Sequence, residues 1–262
     1  MTPFSALLAD MSRDGDDFGV TITEDWQQGR TTYGGLTAAL CVAAAERAWP
    51  DMPPLRSAQF TFVGPAGGAV RMAPRLLRRG KSTVFVAVDL SGEAGLATHA
   101  TLVFAAARQS AYAHLDLPAP ERPAPEACPV FFDVPGKPAF TRHFEYLQAG
   151  GSSPRSGAAV PYYRMWLRHR DTSLGGGMAA LVALADAPPP AAMAMFTAYA
   201  PVSTITWSMD IFDLPAAEGA PWRLMTCEAE RVADGYSAQE MIIWGEDGAP
   251  LMVARQNVAV FG

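Results

Sequence analysis

A pattern that occurs twice constrains this chain more than any other feature. Gly34-Gly35 opens an alanine-rich segment that runs to Ala48, and four strand-like stretches follow, near residues 57–63, 70–78, 82–90 and 97–106. Gly175-Gly176-Gly177 opens a second alanine-rich segment, residues 178–187, and four more stretches follow, near 203–212, 222–232, 237–244 and 251–260. Gly34 and Gly175 are 141 residues apart, whereas Gly80-x-Ser82 matches Gly235-x-Ser237, and Leu96 matches Leu251, at an offset of 155. The 14-residue difference falls between helix and strands, where Pro188-Pro189-Pro190 through Pro201 inserts a loop. An ungapped match inside each block points to duplication, and a duplication settles architecture before any single motif does.

Each unit reads as a strand, a helix and an antiparallel meander. The stretches rich in Val, Phe, Thr and Ile are joined by turn signals such as Arg79-Gly80, Asp234-Gly235 and Asp247-Gly248. The helices are apolar nearly all round, with Leu36, Ala38, Ala39, Leu40, Val42, Ala43 and Ala44 in the first. Such a helix must be wrapped by protein on most sides. A curved antiparallel sheet around one central helix is the hot-dog arrangement, so the expected class is α+β, a double hot dog. The expected division is an N-terminal unit over 1–109, a proline-rich connection over 110–160 and a C-terminal unit over 161–262. The connection carries Pro118, Pro120, Pro123, Pro125, Pro129, Pro135 and Pro138, which break helices and central strands. Phe131, Phe132, Phe140, Phe144 and Tyr146 are expected to hold it against the protein surface.

Composition excludes several functions. Half of the 262 residues are apolar, too many for a disordered chain, yet no apolar run reaches the roughly 18 residues of a membrane span. Twenty Lys and Arg against twenty-six Asp and Glu give a net charge of −6 without a basic run, which argues against a nucleic-acid partner. The acidic start, with Asp10, Asp14, Asp16 and Asp17, does not read as a signal peptide. Cys41, Cys128 and Cys227 are odd in number, far apart and without metal-ligand spacing, so reduced thiols in a cytoplasmic protein are expected. A homodimer or higher homo-oligomer is the expected assembly.

Three segments carry a family resemblance: Tyr33-Gly34-Gly35-Leu36-Thr37-Ala38-Ala39-Leu40, the strand from Val202 to Met209 (VSTITWSM), and the run from Glu246 to Gln256 (EDGAPLMVARQ). In order and spacing the chain resembles the acyl-CoA thioesterase II family over nearly its whole length. The resemblance implies a double hot dog that hydrolyses acyl-CoA to free acid and coenzyme A through a bound water, with no metal or organic cofactor. Members of that family use an Asp, a Thr and a Gln around one water. Gln256 stands at the glutamine position. Counting back from Asp247-Gly248 without a gap puts Glu230 at the threonine, and the aspartate position falls on Thr206.

The chemistry needs a stabilised carbonyl oxygen and a deprotonated water. Backbone N–H groups at Gly34 and Gly35 suit the first requirement, since a helix N-terminus has unpaired donors and glycine permits close approach; the same glycines also serve a tight strand-to-helix turn. Gln256 shares a strand face with Met252, Ala254, Val258 and Val260, where an amide needs a partner. Thr204, Thr206, Ser208 and Asp210 read as one face, lining either solvent or a cleft. Glu230 is the first choice for the general base, shielded by Trp222 and Leu224, and Asp210 is the reserve. His99, His114, His143 and His169 show no ligand spacing, and no Gly-x-Ser-x-Gly elbow is present. Arg78, Arg79 and Lys81 form a basic turn that reads either as a contact for CoA phosphates or as a solvated hairpin tip. Two other functions compete: a thioester-binding hot dog that has lost its base, and an acyl-CoA hydratase, whose His-containing helix motif does not follow Gly34-Gly35.

Overall fold

The structure, a computed structural model, describes residues 1–131, 136–212 and 219–261; Phe132 and Pro135 of the connection lie outside the described residues. The first half opens with α1 (Phe4–Asp10), β1 (Ser12–Asp14) and β2 (Asp17–Ile22). A ribbon of β3 (Gln27–Gln28) and β4 (Thr31–Thr32) leads into α2 (Gly34–Ala48). The strands β5 (Leu55–Phe62), β6 (Gly68–Arg79), β7 (Thr83–Gly92) and β8 (Gly95–Ala105) follow. The second half contains β9 (Phe144–Gly151), β10 (Tyr162–His169), α3 (Met178–Ala185), β11 (Val202–Ile211), β12 (Arg223–Ala233), β13 (Tyr236–Trp244) and β14 (Pro250–Val260).

Among the described residues, twelve strands form one antiparallel sheet in the order β1-β2-β6-β7-β8-β5-β11-β14-β13-β12-β10-β9. Outward from its centre the sheet runs β5-β8-β7-β6-β2 in one direction and β11-β14-β13-β12-β10 in the other. These are the same elements in the same places, so both halves share one topology. They join through β5 and β11, where Phe60 lies opposite Trp207 and Ala58 opposite Met209. Joining there hides two edges that would otherwise offer unpaired backbone groups.

The sheet wraps α2 and α3, which pack against each other. Every residue of α2 from Gly35 to Ala45 is buried, and alanine at Ala38, Ala39, Ala43, Ala44 and Ala45 lets a second helix and a sheet approach on several sides. The helices differ in length: α2 has 15 residues and α3 has 8. Pro188-Pro189-Pro190 explains the difference, because the residue before a proline is driven out of the helical region and proline has no N–H to continue the ladder.

The stretch expected to be irregular throughout contains β9, which adds an edge strand beside β10. Residues 117–123 before it form a strap over the outer face of the second unit. The Trp166 indole donates to the Pro123 carbonyl (2.9 Å), the Trp244 indole donates to the Leu117 carbonyl (3.0 Å), and the Arg122 guanidinium lies over the Trp166 ring. Of the expected aromatic anchors, Phe131 packs edge-on against Tyr163 and Phe140 stacks on Tyr33. Among the described residues, no helix is long and apolar enough to cross a membrane.

Candidate active site

The last turn of α3 meets the first turn of α2. The Tyr33 hydroxyl, from the residue preceding α2, donates to the Ala183 carbonyl (2.6 Å), and the Tyr146 hydroxyl donates to the Ala187 carbonyl (3.2 Å). A carbonyl that the helix end would leave unpaired, and one just past the cap, are thus satisfied by tyrosines. Between them, Asp186 caps α3 and turns its carboxylate toward the start of α2, where it accepts the Gly35 N–H. Glycine is required here on steric grounds. A Cβ at Gly35 would overlap the Tyr33 ring and hydroxyl, and one at Gly34 would press on the Asp186 carboxylate (3.1 Å) and the Phe62 ring (3.3 Å).

Asp186 is held from its other side by the second unit's sheet. The Gln256 amide donates to Asp186 Oδ1 (2.6 Å), and the Gln239 amide donates to Gln256 Oε1 (2.7 Å). The Ala191 N–H donates to Gln239 Oε1 (2.9 Å), which completes a relay from backbone to carboxylate. Burial disfavours the ionised carboxylate and raises the Asp186 pKa to about 7; the donors on Gln256 and Gly35 oppose that shift without cancelling it. A buried acid poised near neutrality is suited to exchanging a proton with a water at physiological pH.

Two cavities, of about 280 and 360 Å³, share Gln28, Asp186, Val202 and Thr204 on their walls. The smaller continues past Phe140, Pro190, Met193 and Tyr199, and its wall carries Lys137 and Arg155. The larger continues past Phe62, Thr32, Thr37 and Thr98, with no Lys or Arg on its described wall. The Thr204 hydroxyl has no protein partner among the described residues, which leaves it open to a water or ligand beside Asp186.

The structure separates the residues expected from the sequence. Gln256, Gly34 and Gly35 come together. Glu230 does not join them: it is exposed on the outer face, ion-paired with Arg255, the outward neighbour of Gln256. The ungapped count back from Asp247-Gly248 predicts it inside the site, but Trp222 and Leu224 do not shield it. Thr206 and Asp210 also point outward. The cause is a bulge at Ile205. Thr204 pairs with Val258 and Thr206 with Asn257, so β11 carries one residue more than β14 across this step. Alternation restarts after the extra residue, which turns Thr204 inward and Thr206, Ser208 and Asp210 outward, opposite the buried Trp207, Met209 and Ile211. The four-residue polar face read from the sequence is therefore two faces. His99 lies on the outer face against Asp89 (2.6 Å), and Arg78, Arg79 and Lys81 line neither cavity.

Asp186 and Thr204 are the residues that sequence reasoning missed as a pair. A signal for Asp186 existed: it is the only charged residue between Asp171 and Asp210, at the end of an apolar helix and just before three prolines. Asp186 and Thr204 share a cavity wall and Gln256 bonds Asp186, whereas the count from the turn puts Glu230 and Thr206 beside Gln256.

Comparisons with known proteins agree with this fold. The acyl-CoA thioesterase N-terminal domain family matches residues 22–105, and the acyl-CoA thioesterase C-terminal domain family matches residues 116–260. No curated protein matches the sequence. Among solved structures, a hot-dog protein of unknown function from Alicyclobacillus acidocaldarius superposes with a TM-score of 0.88 at 22% identity, covering 97% of this chain and 98% of that one. The tesB protein of Mycobacterium avium subs paratuberculosis gives 0.77 at 18%, covering 98% of each chain. An acyl-CoA thioesterase II, TesB2, from Mycobacterium marinum gives 0.75 at 16%, covering 97% of each. At these identities the structures speak for the double hot-dog fold, and the two family matches, which between them span most of the sequence, speak for descent: the chain belongs to the acyl-CoA thioesterase family.

Proposed function

We propose that the chain hydrolyses acyl-CoA thioesters to a free acid and coenzyme A, with Asp186 as general base for a water held by Gln256 and Thr204. The observation that carries this reading is the Asp186 carboxylate. It is buried, raised to a pKa of about 7, bonded to Gln256, and set at the junction of two cavities beside the N-terminus of α2. The water oxygen attacks the thioester carbonyl carbon as Asp186 takes its proton. The carbonyl oxygen gains charge near the first turn of α2, where Gly34 N–H has no backbone acceptor among the described residues and the helix dipole is positive. Collapse of the tetrahedral intermediate breaks the C–S bond, and the proton on Asp186 is returned to the departing thiolate.

Charge assigns the two cavities. Arg155 pairs with no carboxylate among the described residues, and it stands with Lys137 on the smaller cavity, which suits the phosphorylated coenzyme side. The larger cavity, with no Lys or Arg on its described wall, then takes the acyl group. The alternative, a binding module, rests on a missing base, and the buried acid at Asp186 supports the hydrolase over it. We place the protein in the cytoplasm as a homodimer or higher homo-oligomer, a reading supported by its three free cysteines and by the usual closed symmetry of such assemblies.

Thiol release from a panel of acyl-CoAs tests the proposal. Wild type is expected to turn over at least one chain-length class, and Asp186→Asn to lose about 10²–10⁴-fold in rate. An Asp186→Asn variant as fast as wild type would place the base elsewhere. No turnover of any acyl-CoA would favour the binding module.

A further inference from the structure

We propose that Gln239 is a positioning residue that fixes which end of the Gln256 amide faces Asp186. The inference rests on the proposed role of Asp186, but its geometry stands alone. An amide side chain has a donor end and an acceptor end, and an isolated glutamine can present either. Gln239 cannot. Ala191 N–H is only a donor, so the oxygen of Gln239 must face it (2.9 Å). The NH₂ end of Gln239 is then left for Gln256 Oε1 (2.7 Å) and the Met241 sulfur (3.6 Å). With its oxygen so engaged, Gln256 has only NH₂ to offer Asp186 (2.6 Å).

The strand register places the pair. Gln239 lies directly opposite Gln256 between β13 and β14, and Ala191 follows the three prolines that end α3. The segment that stops the helix at Asp186 therefore also supplies the N–H that orients the relay. Gln239 is 1% exposed and Gln256 5%, so bulk water cannot readily substitute for either contact.

The consequence is a bias toward the ionised acid. A carboxylate accepts the Gln256 N–H. A protonated Asp186 would gain from a Gln256 oxygen, and the lock withholds it. Removing the lock lets Gln256 reverse when Asp186 is protonated, which stabilises the protonated form. Among the described residues, Tyr33, Tyr146 and Cys227 interact electrostatically with Asp186, each raised by burial and neutral near pH 7. Lys137 and Arg155 share a cavity wall with it, and Gly35 N–H stays in place.

The test is Gln239→Met, which keeps the volume and removes the donor. The rising limb of kcat/KM against pH should move upward by about half to one pH unit, so that the rate falls about 3–10-fold near pH 6.5 and recovers at pH 9. A merely structural role would lower the rate evenly across pH. A carbon-13 NMR titration of the Asp186 carboxyl should show the same upward shift without any turnover, so failure of the hydrolase reading and failure of this one are distinguishable. Should the variant not fold, wild type alone decides: the Gln239 side-chain amide protons should stay protected while Asp186 titrates. A folded Gln239→Met with an unmoved titration would overturn the proposal, as would wild-type Gln239 protons that exchange freely on protonation of Asp186.

Discussion

The two units share a strand order and differ along one row of side chains. In the first, Ala58, Leu102 and Val86 lie opposite one another across β5, β8 and β7, placed by the same bulges that flank the second row. In the second, Trp207, Gln256 and Gln239 occupy the same places across β11, β14 and β13. All six are buried, but the first row only packs, whereas the second places two amides beneath Asp186. The helices diverge in the same way. The start of α2 faces Asp186, while the small cavity of about 40 Å³ at Gly176 and Gly177, before α3, has no carboxylate on its described wall. Each unit thus contributes a different half of one site. The first supplies a helix N-terminus, and the second supplies the acid, the amides and the threonine.

This asymmetry can be broken in either direction. Making the second row like the first, with Gln256→Leu, removes the donor that favours the Asp186 carboxylate and orients its water. Turnover at pH 7 should fall about 10²-fold while circular dichroism stays native. Making the first row like the second, with Leu102→Gln, places an unpartnered amide in a packed apolar face. Urea unfolding should report a loss on the order of 2 kcal/mol.

A third change isolates what the acid costs the fold. The pKa of Asp186 is about 7 in the folded chain against 3.8 for an ordinary aspartate, so the folded state holds its proton more tightly than the unfolded state does. Ionisation is therefore destabilising: the penalty is absent below pH 4, grows as pH rises and is complete above pH 7. Asp186→Asn should be more stable than wild type by about 1–2 kcal/mol at pH 8 and equal to it near pH 4, by urea titration at each pH. Glu46, also raised to about 7 by burial, titrates in the same window, so only the difference between variant and wild type reports Asp186. The smallest effect is expected on the outer face of the sheet. Glu230→Gln breaks an exposed ion pair with Arg255 and should shift stability by less than about 0.5 kcal/mol with the rate unchanged. A large rate loss there would return Glu230 to the site and undo the separation of inner and outer faces.

Much of the fold was legible because its signals are local and repeated. The alanine-rich helices, the hairpin turns at Gly80 and Gly235, and the alternation of β14 all report directly on backbone conformation. That alternation placed Gln256 inward. The site was less legible because two of its determinants are not periodic. The bulge at Ile205 reverses the facing of every later residue in β11, and no composition marks it, so Thr204 and Thr206 were read as one face although only Thr204 turns inward. The capping role of Asp186 depends on α3 stopping before three prolines and on α2 arriving beside it, a contact between residues about 150 apart. The strap over Trp166 and Trp244 shows the same limit, since proline spacing marks an extended chain but not the surface it covers.

The central claim is that the buried Asp186 carboxylate takes a proton from the attacking water. The pH dependence of kcat/KM for acyl-CoA hydrolysis, followed by thiol release from pH 5 to 9 in wild type and in Asp186→Asn, tests it most directly. The account predicts a wild-type rate that rises through a single ionisation near pH 7, and a residual rate in Asp186→Asn that lacks this limb. A limb near pH 7 that survives unchanged in Asp186→Asn would contradict it.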